Sequence, residues 1–149
     1  KITLFLVTIL LLGSCKKDED ERINERPKSF NSLYELKTDL LLLFGTEMTY
    51  SNGYFYVYGS NRREWKIPVL DCSYEVNRTN SNTISVLFRC AYVSDCISYE
   101  KESGYLLIPN DRARLSRFTS TFNTGSEVSV QEVKEFFHKA VNYLKVGDI

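Results

Sequence analysis

The chain is poor in the residues from which most catalytic and metal-binding sites are built. It has one histidine, His138, among 149 residues, no Cys-x-x-Cys pair, and seven glycines that form no phosphate-cradling loop. Nucleophilic Cys-His or Ser-His pairs and zinc sites need a histidine aimed into a pocket or thiols at short spacing. Helical spacing instead puts His138 on a polar face between Lys134 and Asn142. The carboxylates are scattered, with no pair spaced as glycoside hydrolysis requires. Charge of one sign is lacking too: nineteen basic residues balance nineteen acidic ones, so no overall basic field exists to hold nucleic acid. These absences lead us to expect a protein that is not an enzyme, carries no metal or cofactor and does not bind nucleic acid. What remains, 43% hydrophobic and 26% charged residues with three prolines, is the composition of one globular domain.

Long hydrophobic runs are missing as well, and the longest one present is informative. Ile2 to Leu12 is eleven residues without a charge. As a helix it would reach roughly 16 Å, about half of the ~30 Å hydrocarbon core, so it reads as a signal-peptide core and not as a membrane span. Lys1 fits an n-region whose initiator methionine lies upstream. The run ends in Leu12-Gly13-Ser14-Cys15, which resembles the lipobox of bacterial lipoproteins: an aliphatic residue, two small residues and the acceptor cysteine. The resemblance implies that Cys15 receives a diacylglycerol, that residues 1–14 are removed, and that the new amino terminus is acylated. Two or three acyl chains, at ~0.8 kcal/mol per buried CH₂, hold a protein on a membrane effectively permanently. The expected location is the bacterial outer membrane, with the domain anchored through Cys15 and facing the periplasm or the cell surface. Lys16-Lys17-Asp18-Glu19-Asp20-Glu21 follows and is too charged to pack, so residues 15–28 read as an acidic tether. Cys-Lys followed by acidic residues also resembles the surface-export signal of lipoproteins in one gram-negative lineage, which would imply the outer face.

Residues 29–149 then form a single expected α+β domain. Ser32-Leu33-Tyr34-Glu35 is a capping box, followed by Leu33, Leu36, Leu40, Leu43 and Phe44 at helical spacing and by Gly45 as a stop. Leu41 and Leu42 widen the apolar stripe and predict a helix covered on much of its surface. From Glu47 the pattern changes to alternation rich in tyrosine, phenylalanine and β-branched residues. Asn52-Gly53 predicts a type I′ hairpin between Met48–Tyr50 and Tyr54–Tyr58. A second pair, Trp65–Val76 and Thr83–Val93, flanks a polar turn, with Pro68 expected to break or edge the first strand. Cys96–Glu100 and Tyr105–Pro109 are expected to form a third hairpin. Ser129-Val130-Gln131-Glu132 opens a closing helix with Val133, Phe136, Phe137, Ala140, Val141 and Leu144 on one stripe. The predicted fold is an antiparallel meander sheet packed with an N-terminal and a C-terminal helix, in two layers.

Two groups of residues bear on function. With Cys15 lipidated, Cys72, Cys90 and Cys96 remain, and either Cys72 with Cys90 or Cys90 with Cys96 could pair across a turn. Tyr50, Tyr54, Tyr56, Tyr58 and Trp65 form an aromatic cluster that suits sheet packing, sugar stacking or a protein partner. Finally, Ser103-Gly104-Tyr105-Leu106-Leu107-Ile108-Pro109-Asn110-Asp111-Arg112-Ala113-Arg114 resembles a segment of streptopain-type cysteine-protease propeptides and their free-standing inhibitors. In that family a Gly-aromatic-aliphatic strand runs into an Asp-x-Arg-like turn, a tyrosine sits on the preceding strand, as Tyr99 does here, and a terminal helix follows. The resemblance spans Cys96 to the end of the chain. It departs at Pro109-Asn110, where the family has small, acidic or Gly residues, and at Leu115–Thr119, which replaces a Pro-aliphatic-Leu-Gly-Tyr run. It implies a partner of the papain-like protease class. A toxin, as for an immunity protein, or a glycan are the other partners the sequence leaves open.

Overall fold

The computed structural model describes residues 28–104 and 110–147. The lipobox-like residues Leu12–Cys15, with the expected lipidation site Cys15, the acidic run and Tyr105–Pro109 lie outside the described residues. Among the described residues the fold is α+β: helix α1 (Leu33–Phe44), eight strands, then helix α2 (Val130–Gly147). The strands are β1 (Met48–Ser51), β2 (Tyr54–Gly59), β3 (Arg63–Pro68), β4 (Cys72–Arg78), β5 (Thr83–Cys90), β6 (Ile97–Lys101), β7 (Asp111–Leu115) and β8 (Arg117–Asn123).

Local chemistry fixes the element ends as the sequence predicts. At α1 the Ser32 hydroxyl accepts from the Glu35 amide at 3.1 Å, and the Glu35 carboxylate reaches past Ser32 to the Asn31 amide at 2.8 Å. Gly45 ends the helix with φ 58°, and its amide donates to the Leu41 carbonyl. At α2 the box is reciprocal: the Glu132 amide donates to Ser129 Oγ at 3.1 Å and the Ser129 amide to Glu132 Oε2 at 2.6 Å. Asn52 and Gly53 both take positive φ, 48° and 81°, and Ser51 pairs with Tyr54 across them, which is the two-residue type I′ hairpin.

The single meander is not what forms. The strands divide into a five-stranded antiparallel sheet, β1-β2-β3-β6-β7, and a three-stranded one, β4-β5-β8. Pro68 sits at the division. It pairs with Tyr54 on one side, but β6 pairs with β3 only over Arg63–Lys66, so the missing donor of Pro68 is never required on that side. The chain then turns at residues 69–71 and starts β4 in the other sheet. The third hairpin is corrected likewise: β6 pairs with β7, Ile97 opposite Leu115 and Lys101 opposite Asp111, instead of with Tyr105–Pro109. Both strands after Pro109 escaped the sequence reading because their alternation is polar, as in the Asp-Arg-Ala-Arg-Leu of β7.

One core joins the two sheets and the helices. Phe137 of α2 touches Phe44 of α1, Phe55 of the five-stranded sheet, and Tyr74 and Phe88 of the three-stranded one, with ring centroids 4.6–5.8 Å apart. Trp65 of β3 stacks on Phe118 of β8 at 4.4 Å and closes the seam between the sheets. The closing helix buries Val133, Phe136, Phe137 and Ala140 as its pattern predicts. Helix α1 buries only Leu36, Leu40 and Phe44. Leu41 and Leu42 are 58% and 75% exposed, so the broad apolar stripe does not become a broad buried surface. The first described residues lie against α2, where Asn142 Nδ2 donates to the Lys28 carbonyl at 3.0 Å and Phe30 packs on Phe136.

Candidate functional site

Strand alternation sorts the aromatic cluster into two faces. Phe55 and Val57 of β2 are buried toward the helices, so Tyr54, Tyr56 and Tyr58 point together to the opposite, outer face of the five-stranded sheet. Lys66 of β3 lies directly opposite Tyr56, and its ammonium sits 4.1 Å from the Tyr54 ring centroid and 5.8 Å from that of Tyr56. Tyr58 is 43% exposed and shares a hydrogen bond with Thr49 of β1, Oγ1 to hydroxyl at 3.1 Å. The result is a row of three tyrosines, the first two sharing the Lys66 cation and the third held to Thr49, half-exposed to exposed along its length.

The other two members of the predicted cluster do not join it. Trp65 pairs with Val57 and therefore points inward, onto Phe118 and Tyr99. It lies so close over Gly59 that a Cβ there would meet the indole at 2.7 Å. Tyr50 is buried against Phe55, and its hydroxyl accepts from the Gly53 amide at 3.1 Å. Burial holds the phenol of Tyr50 above its usual range. Lys66 was missed by sequence reasoning. Its signal was register: counting back from the tight Asn52-Gly53 turn fixes β1 against β2, but placing β3 needs the longer Ser60–Arg62 connection, where Asn61 and Arg62 both take positive φ.

The described end of the propeptide-like segment lies on the same sheet. Glu100 of β6 accepts from Asn110 Nδ2 at 2.7 Å and from Arg112 of β7 at 3.0 Å. These bonds, that of Asn110 first, hold the Glu100 carboxyl below its usual range. Arg112 pairs with Glu100 in the ladder, so the segment's polar turn is anchored to the five-stranded sheet that carries the tyrosines.

The cysteines gather where the sheets meet. Cys90, ending β5, is disulfide-bonded to Cys96, just before β6, which decides between the two pairings. Cys72, opening β4, is the free cysteine among the described residues and is buried. Its Sγ lies 3.4 Å from that of Cys96, and the three sulfurs are all within 4.8 Å of one another. A metal would need thiolates, and two of these three sulfurs are spent on each other. Burial, then the nearby Asp71, pushes the Cys72 thiol up to about 12, the reverse of an activated nucleophile.

His138 is exposed on α2 and lines, with Cys72, Tyr74, Val76, Lys134, Phe137 and Val141, a groove of about 280 Å³. Neither Cys90 nor Cys96 is among its walls. No hydrogen bond links His138 to Cys72 among the described residues, so this groove lacks the nucleophile-base contact that covalent catalysis uses.

No family model matches the chain, and neither a curated protein nor a solved structure does. Among the described residues no helix is long and apolar enough to cross a membrane.

Proposed function

We propose that this chain is a non-enzymatic, lipid-anchored domain of the bacterial cell envelope that binds a protein partner through the outer face of its five-stranded sheet. One observation carries the reading: Tyr54, Tyr56 and Tyr58 stand in a row on a sheet face that neither helix covers, with Lys66 among them. Tyrosine supplies a large, rigid, amphipathic contact at low entropic cost and is enriched at the centres of protein interfaces. A flat row of rings suits a protein surface better than a sugar, because Lys66 already occupies a face of the Tyr54 ring on which a pyranose would stack. The lipobox resemblance at Leu12-Gly13-Ser14-Cys15 supplies the anchor, and a tether over residues 15–28 would extend to roughly 50 Å at most. The resemblance of the 103–114 segment to streptopain-type propeptides names papain-like cysteine proteases as the first partners to try.

Two experiments test the two halves of the reading. Cys15→Ser should move the protein from the membrane fraction to the soluble one and abolish incorporation of labelled fatty acid; retention on membranes refutes the anchor. The soluble Cys15→Ser chain should bind a papain-like protease encoded beside its gene and lower its activity at micromolar concentration, with loss of binding in Tyr54→Ser/Tyr56→Ser. Undiminished protease activity sets that partner class aside. Glycan binding that depends on the same two tyrosines would replace the protein-partner reading with the glycan one.

A further inference from the structure

The three sulfurs at the seam between the sheets lie within 4.8 Å of one another, close enough to exchange partners once the Cys72 side chain turns into line with the Cys90–Cys96 bond. Cys72 and Cys90 face each other across the β4–β5 ladder, and Cys96 approaches from the start of β6. The Cys72 sulfur is in van der Waals contact with Cys96 at 3.4 Å, the sulfur of the disulfide nearest to it by this contact. Cys90, the other half of the disulfide, is already provided for as a leaving group. The Cys96 backbone amide points at its sulfur at 2.9 Å, where it would stabilise a thiolate. The Leu115 carbonyl lies 3.5 Å from the same sulfur, where it would accept from a thiol.

We propose that this cluster is a thiol–disulfide exchange site, in which the free thiol passes from Cys72 to Cys90. Cys72 gives its proton to water, and the thiolate attacks Cys96 Sγ. The Cys72–Cys96 bond forms as the Cys90–Cys96 bond breaks, and Cys90 leaves as a thiolate that takes up a proton. One disulfide and one thiol stand on each side, so no external oxidant or reductant is consumed. The exchange has a structural consequence. In the form described here the disulfide closes the loop of residues 91–95, all exposed, with Tyr92 83% and Val93 57% accessible. After exchange the staple runs from β4 to the start of β6, the loop is released at Cys90, and a buried thiol has been traded for a half-exposed one that a second molecule could reach.

The groups around Cys72 set the pace. Burial and then Asp71, in the turn before β4, disfavour its thiolate; Tyr74 of β4, whose own phenol is held well above its usual range by burial first and then by Cys72, lines the same groove with Lys134 and His138 of α2. With the thiol protonated at neutral pH, exchange is slow there and should quicken about tenfold per pH unit from pH 7 to 10, because a high-pKa thiolate, once formed, is a strong nucleophile.

The test uses the full chain carrying Cys15→Ser, incubated with iodoacetamide, without added thiol, and mapped by mass spectrometry of non-reduced peptides. The expected product carries the label on Cys90 together with a Cys72–Cys96 linked peptide, and its first-order rate is independent of protein concentration. In the further variant Cys72→Ser the label on Cys90 should vanish. Label confined to Cys72 with the Cys90–Cys96 linkage intact at pH 9 would overturn the proposal, as would exchange whose rate rises with protein concentration. The first measurement is made on chains with all three cluster cysteines, so it decides the question even where Cys72→Ser folds poorly.

Discussion

The two sheets use the same alternation to opposite ends. Facing inward they are alike: Phe55, Val57 and Ile67 in the five-stranded sheet, Val76, Ile84, Val86 and Phe88 in the three-stranded one, all buried in one core. Facing outward they differ. The three-stranded sheet shows Ser73, Glu75 and Asn77, Ser85, Leu87 and Arg89, and Arg117, Thr119 and Thr121, a mostly polar and charged face around one leucine and without an aromatic ring. The five-stranded sheet shows three tyrosines in one strand. On a solvated strand such rings gain cross-strand packing, and the rest of their burial value is realised only when something covers them. The contrast is between a mostly polar face and an aromatic one, which is the face the proposed partner would cover, and each of the following measurements would break or sharpen it.

The largest effect is expected at the residue both sheets share. Phe137→Ala removes a ring that touches four others in both sheets and in α1, and should cost about 3–5 kcal/mol. In urea, far-ultraviolet dichroism and Trp65 fluorescence should report one coincident transition at a lower midpoint; separate transitions would mean that the sheets do not share a core. Next comes the outer face. Tyr56→Ser should weaken partner binding by about 2 kcal/mol, the size of an interface hot spot, and leave stability within about 0.5 kcal/mol. Thr121→Ala on the three-stranded sheet should change neither. Equal losses from both substitutions, read by calorimetry, would erase the distinction between the faces.

A smaller change probes the seam. Gly59→Ala places a Cβ against the Trp65 indole and should cost about 1–2 kcal/mol, with a shift in tryptophan emission as the ring is pushed off Phe118. An unshifted emission would show that the stack tolerates displacement. The smallest expected effect is on acid stability. Glu132 is held below its usual range by bonds from Ser129, and Glu100 by bonds from Asn110 and then Arg112. A carboxyl with a depressed folded pKa stabilises above its unfolded value, about 4.3, and that contribution is lost as pH falls through the folded one. Glu132→Gln should thus flatten the acid limb of the stability curve below about pH 4.5 and leave the slope near neutrality unchanged.

How much of this was legible depends on how far apart in the chain the partners are. The two capping boxes, the Asn52-Gly53 turn and the buried stripe of α2 were readable because each rests on residues within a few positions of one another. The tyrosine row was half readable: alternation put Tyr54, Tyr56 and Tyr58 on one side, but it could not say that Trp65 is inward or that Lys66 sits beside Tyr54. Those facts depend on the register of β3, and a shift by one residue would exchange them. The exposure of Leu41 and Leu42 was unreadable for a similar reason, since only the placement of α2 decides how much of α1 is covered.

The sequence by itself determined the local pieces: where the helices start, where the first hairpin turns, which faces of the strands are apolar, and an N-terminal run that resembles a lipoprotein's. It also limited the cysteine pairing to two choices without picking one. Only the tertiary structure divided the strands into two sheets, stacked Trp65 on Phe118, and brought Cys72 within 3.4 Å of the Cys90–Cys96 disulfide. The physical reason is that hydrogen-bonded strands of any separation gain the same ladder, so alternation specifies a face but not a neighbour. Neighbours are chosen by the whole core, in which Phe137 has to be surrounded at once by rings from both sheets and from the other helix.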